Sequence, residues 1–244
     1  MPTDITHHAP VELDRIGRLP SSPVHDFHMP EFLHSLFLLL PVLNRKLRTG
    51  YGVEVDFLVA GSAALQMHLD AIVRPLNYPI ESVGDLDIFV AYRQVGDPAQ
   101  VFLEVVVRNY IVTLFNSLLD RHLTPSLGAE GSATQSNIVA CYRGLAPKVK
   151  EINLIFRSDL MSDNFTVNLQ TLFNSFDLDI LRCSIALTQT DNQVARVLPS
   201  RSIEFTEAVN SMLVTSSEGI RPERSEKYKQ RLEPLGFEFS WDLT

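Results

Sequence analysis

Apolar residues spaced three and four apart first appear in "EFLHSLFLLLPVLNRKLRT". The spacing predicts a helix over 31–48, with Phe32, Leu36, Leu39, Leu40 and Leu43 on one face and Pro41 as a kink. Arg45, Lys46 and Arg48 end it, and Gly50 and Gly52 stop it. "VEVDFLVAG" then reads as a strand running into a turn at Gly61-Ser62, and "AALQMHLDAI" as a short helix. A loop holding Pro75 and Pro79 leads to a second strand, "DLDIFVAY". A long helix is expected over 99–120, with Pro98 near its start.

"NIVACYRG" and "KEINLIFR" read as two strands of a hairpin. "NLQTLFNS" supplies one or two helical turns, "FDLDILRCSIAL" a further strand, "ARVLP" a short strand and "TEAVNSMLV" a helix. The tail "PERSEKYKQRLEPLGFEF" starts as a charged helix, with Tyr228 packed inward, and ends as an aromatic extension. Such mixing of strands and helices predicts an α/β (α+β) layer fold, a mixed central sheet flanked by helices. Residues 1–30 read as an irregular arm, 31–190 as a core domain, and 191–244 as a strand and helical extension packed on it.

The chain has 244 residues, 45% hydrophobic, with a net charge of −8. That acidic balance argues against nucleic-acid binding by bulk charge and leaves a local basic groove open. Cys141 and Cys183 lie in apolar strand-like stretches and read as reduced core residues. No secretory signal opens the sequence, and the longest apolar run, "LFLLLPVL", is far short of the roughly 20 residues a membrane helix needs. The expectation is a soluble, cytoplasmic protein.

Candidate chemistry centres on "SVGDLDIFVA". Side chains alternate along a strand, so Asp85 and Asp87 share a face. Like charges so close raise each other's pKa, and a cation between them removes the conflict. Mg²⁺ suits such a pair, since it takes one or two carboxylates plus substrate phosphates. Alone, the pair fits a solvated strand face just as well. The preceding "FLVAGSAALQMHL" changes this, because a Gly-Ser turn opening a helix lets backbone N–H groups approach a phosphate.

The order of strand, Gly-Ser, helix and Asp-x-Asp strand resembles the polymerase-β-type nucleotidyltransferases, in "VAGSAAL" and "GDLDIFV". The resemblance implies a nucleotidyltransferase fold that transfers a nucleoside monophosphate from a nucleoside triphosphate to an acceptor. It implies Gly61 and Ser62 at the triphosphate, and Asp85 and Asp87 as ligands of Mg²⁺, or of Mn²⁺ in its place. The acceptor stays open among RNA, protein, small molecule and nucleotide. "EINLIF", "SFDLDILRCSIAL" and the tail resemble blocks of nucleotidyltransferase-like proteins of large viruses and phages.

Two departures stand out. "VRPLNYPIESV" looks like an insertion between the two motifs. The family also places a third carboxylate on a later strand, where "KEINLIF" holds Asn153. Glu151, Asp177 and Asp179 are the substitutes considered. If the strand of Asp177 and Asp179 lies beside the first Asp-x-Asp strand, one of them could complete the site, and Asp177 is favoured as the third catalytic and metal-binding acid because it leads that strand. The other reading is a protein that has lost catalysis and keeps the fold as a nucleotide- or protein-binding module.

His7, His8, His25 and His28 match no zinc spacing. Arg74, Arg143, Lys148, Lys150 and Arg157 could include a phosphate contact, but they read chiefly as solvated charge.

Overall fold

The computed structural model describes residues 31–73, 85–95, 104–119, 126–127, 138–146, 149–190, 194–216 and 222–242. The N-terminal arm with its four histidines, the insertion with Arg74, Pro98 and Lys148 lie outside these residues, as do the side chains of Arg143 and Lys150.

Helix α1 (Glu31–Tyr51) leads to β1 (Val53–Ala60), α2 (Gly61–Val73), β2 (Asp85–Gln94) and α3 (Glu104–Leu119). A short β3 (Ser126–Leu127) precedes the β4 (Ile138–Ala146) and β5 (Val149–Phe156) hairpin, then α4 (Phe165–Asn174). The chain continues through β6 (Cys183–Gln189), β7 (Ala195–Arg201), α5 (Ile203–Ser211), β8 (Leu213–Val214), α6 (Pro222–Leu232) and β9 (Glu238–Phe239).

Seven strands form one mixed sheet in the order β3-β4-β5-β2-β1-β6-β7. Its neighbours are antiparallel except for β2 and β5, which run parallel. Parallel neighbours need a crossover, here the stretch holding α3 and the outer hairpin strand. As a result, the end of β1 meets the starts of β2 and β5 at one edge of the sheet.

Strand β1 is buried along its whole length, because both faces of the sheet are covered. One face carries Val55, Phe57, Val59, Ile88, Val90, Leu154 and Ile185, packed with α1, α2 and α3. The other carries Leu58, Ala60, Phe89, Ala91 and Ala186 beneath Leu169, Leu172 and Phe173 of α4. Helix α1 buries the stripe Leu33, Leu36, Leu40, Leu43 and Leu47, and its Asn44 amide bonds the N–H and C=O of Val55. Residues Phe205, Val214, Tyr228, Leu232 and Phe239 join the first core, so α5, β8, α6 and β9 each contribute to it.

Several boundaries differ from those expected. Helix α1 runs through Gly50 and stops only at Gly52, whose φ is +63°. The helix expected over "TEAVNSMLV" starts earlier, at Ile203, because Ser202 caps it by accepting from the Phe205 N–H. It ends at Met212 in the left-handed region.

The clearest correction concerns "FDLDILRCSIAL". Only Cys183–Gln189 is strand, while Asp179–Leu181 coils into a 3₁₀ turn. The Asp179 carboxylate accepts from Ile180 N–H and from the Thr215 N–H and hydroxyl, which breaks the alternating pattern. Strand β6 also lies beside β1 and not beside β2.

Candidate functional site

Alternation along β2 turns Leu86, Ile88, Val90 and Tyr92 toward the three-helix side. Asp85 and Asp87 therefore share the opposite face; Asp85 is exposed and Asp87 half-buried. Strand β5 runs parallel with Glu151 beside Asp85 and Asn153 beside Asp87. Cys141 of β4 follows in the same row, opposite Asn153.

On the other flank, Ala60 pairs with Asp87, and the chain turns at once into α2. Gly61 makes that turn at φ +69°, a conformation that disfavours a side chain. A Cβ there would stand 3.3 Å from Asp87 Oδ2. The Gly61 turn and Asp87 thus sit side by side where β1 ends.

Asp87 Oδ1 accepts a hydrogen bond from Asn153 Nδ2 at 2.9 Å. Burial pushes the Asp87 carboxyl above its ordinary range; the Asn153 bond opposes the shift, Asp85 and Glu151 add to it, and Lys227 opposes it. Lys227 belongs to α6, so the C-terminal helix brings positive charge to this corner. Its neighbour Tyr228 is buried and feels the charges of both Asp87 and Asp177.

Asp177 is not on a strand beside β2, so the premise that favoured it fails. It sits between α4 and the 3₁₀ turn and pairs with Arg224 Nη2 of α6 at 3.1 Å. Asp179 is buried and holds Thr215. The second Asp-x-Asp therefore anchors the C-terminal segment on both sides. Arg157 is likewise engaged, by Asp159 and Ser175.

The charges that sequence reading missed lie at the opposite end of β1. Glu54 and Asp56 are buried, Arg93 bridges both, Arg48 also reaches Glu54, and Thr188 donates to Asp56. Acids inside an apolar strand were the available signal, but their partners come from three other elements. Neither cysteine forms a disulfide; Cys183 is buried and Cys141 half-buried.

Asp85 and Asp87 offer hard carboxylate oxygens, while the Asn153 amide turns its N–H toward Asp87. Such a pair suits one Mg²⁺ that arrives with phosphate oxygens. Among the described residues, no group of three His, Cys, Asp or Glu is arranged to hold a metal ion. Asp85 and Asp87 are the carboxylates that would hold one such ion.

The chain matches no family model and no curated protein. Among solved structures it is similar to a CCA-adding enzyme in complex with CTP, at 12% identity and a TM-score of 0.41, over 78% of this chain and 35% of that one. It is also similar to a CCA-adding enzyme in complex with ATP, at 12% identity and a TM-score of 0.43, over 87% and 40%. The chain thus spans well under half the length of these neighbours. Likeness of that size fixes no residue's role here, and neither comparison supports a viral or phage origin. No helix among the described residues is long and apolar enough to cross a membrane.

Proposed function

We propose that this chain is a nucleotidyltransferase-type protein that binds a nucleoside triphosphate with Mg²⁺ and does not transfer the nucleotide. Asp85 and Asp87 would hold the cation, and Gly61 and Ser62 would face the phosphates. The observation that carries this reading is the approach of the Gly61 corner to Asp87 Oδ2, 3.3 Å from a Cβ built there. A side-chain-free turn at a helix start, set against a half-buried acid, suits an anion and its cation together. The amide at Asn153 carries the second half of the reading. It is neutral, so it neither accepts a proton from an acceptor hydroxyl nor adds negative charge to the site.

Calorimetric titration with each of the four ribonucleoside triphosphates, with and without Mg²⁺, tests this. The expected result is Mg²⁺-dependent binding of at least one, lost in Asp87→Ala, with no pyrophosphate release. Absence of Mg²⁺-dependent binding for all four would overturn it.

One observation favours a second reading, in which transfer is retained. Glu151 lies beside Asp85 on the site face, and its charge reaches Asp87. In that case Glu151 would activate the acceptor hydroxyl. Pyrophosphate release by the wild-type protein, abolished in Glu151→Gln with nucleotide binding intact, would establish it. The acceptor would then be sought among RNA ends, protein side chains and small molecules.

A further inference from the structure

We infer that Asn153 limits this corner to a single divalent cation, by holding the Asp87 oxygen that a second cation would need. The inference rests on the nucleotide-binding reading above and adds to it a stoichiometry and the residue that sets it.

A carboxylate that bridges two cations must turn one oxygen to each. Only Oδ2 of Asp87 is left for the single cation, because Oδ1 is already committed. Oδ1 receives the Asn153 N–H at 2.9 Å, and Oδ2 lies under the Gly61 turn. A cation approaching Oδ1 from the β5 side would meet the positive end of the amide dipole. Turning the amide over would set its carbonyl oxygen against the carboxylate, two acceptors facing each other in a half-buried place, which costs free energy. The donating orientation is therefore the stable one.

Register fixes this arrangement. Asn153 and Asp87 are partners in the parallel β2–β5 pair, on the same face. Asn153 cannot leave the row without a slip that would also move Ile152 and Leu154 out of the core. Lys227 of α6 adds a positive charge that acts on Asp87. A second dication would have to enter against both.

The change Asn153→Asp reverses the local logic. It replaces a donor by an acceptor and adds a negative charge beside Asp87, which frees Oδ1 for a second ion. Asp is close to Asn in shape, so packing along β5 is preserved.

Native mass spectrometry of the full chain counts the ions directly. The probes are Mn²⁺ and the four ribonucleoside α,β-methylene triphosphates, taken in turn, so that no transfer can occur. The wild-type protein is expected to carry one Mn²⁺ per bound nucleotide at saturation, and Asn153→Asp two. Two Mn²⁺ on the wild-type complex would overturn the inference and leave the nucleotide-binding reading standing. One Mn²⁺ on a folded Asn153→Asp complex would also overturn it, because the amide would then not be what limits the count. A wild-type chain that takes up no nucleotide with Mn²⁺ would overturn both. The wild-type count does not depend on any variant folding.

Discussion

A methyl group at Gly61 would stand 3.3 Å from Asp87 Oδ2 on a backbone at φ +69°. Gly61→Ala therefore strains the turn by about 1–2 kcal/mol and presses on the acid. Urea unfolding should show that loss, and calorimetry should show weakened Mg²⁺-nucleotide binding. His68 carries a different prediction. It is buried, with Nε2 bonded to the Ser184 carbonyl and Nδ1 accepting from Arg201 Nε, a pattern that requires the neutral ring with its proton on Nε2. Burial lowers its pKa from 6.5 to about 4. The unfolded chain therefore takes up the proton first as pH falls. The fold is unaffected by this group above the unfolded value and loses stability between about 6.5 and 4, by up to about 3 kcal/mol. Urea unfolding at pH 7 and pH 4.5 should show a steeper loss in the wild type than in His68→Gln.

Segment 177–181 shows how a local pattern can be overruled at the scale of an element. Its alternation reads as strand, yet Asp179 accepts from Thr215, 36 residues further on, and the segment coils instead. Asp179→Ala removes an acceptor that serves several donors and should cost about 2–3 kcal/mol, with faster proteolysis after residue 215. Asp177 pairs with Arg224 where both side chains are about one-third exposed, so Asp177→Asn should cost under about 1 kcal/mol. Calorimetry should find Mg²⁺-nucleotide binding unchanged in that variant; a loss would restore Asp177 as a ligand. Elements with a dense apolar signal were legible in advance: β1, β2, the β4–β5 hairpin and α1, although the buried stripe of α1 takes in Leu33 and Leu47 and leaves the expected Leu39 half-buried. Asp179 was not, because its partner lies in a distant segment. The same holds for Glu54 and Asp56, whose charges are matched by Arg48 and Arg93, with a hydrogen bond from Thr188 to Asp56.

Across the whole molecule, sheet order decides which of several acidic motifs can serve one site. Three strand ends meet at Gly61, Asp85 and Glu151 because β1 runs antiparallel to β2 and β2 parallel to β5. The sequence motifs named Gly61, Asp85 and Asp87 and marked Asn153 as a departure, since each is local. Two facts need the assembled sheet: Asn153 donates to Asp87, and α6 returns to bring Lys227 there. A second acidic group, Glu54 and Asp56, sits near the start of β1, and Gly52 immediately precedes that strand. Gly52 and Gly61 bracket eight strand residues, a span of about 26 Å at about 3.3 Å per residue. This separation permits a direct test of where the cation binds. Amide NMR spectra recorded while Mn²⁺ and a nucleoside triphosphate are added should show paramagnetic broadening at Gly61, Ser62 and Asp87 and sharp signals at Gly52. Broadening centred on Gly52 and Glu54, or none at Gly61 at saturating nucleotide, would contradict the assignment of the Gly61–Asp87 corner as the nucleotide site.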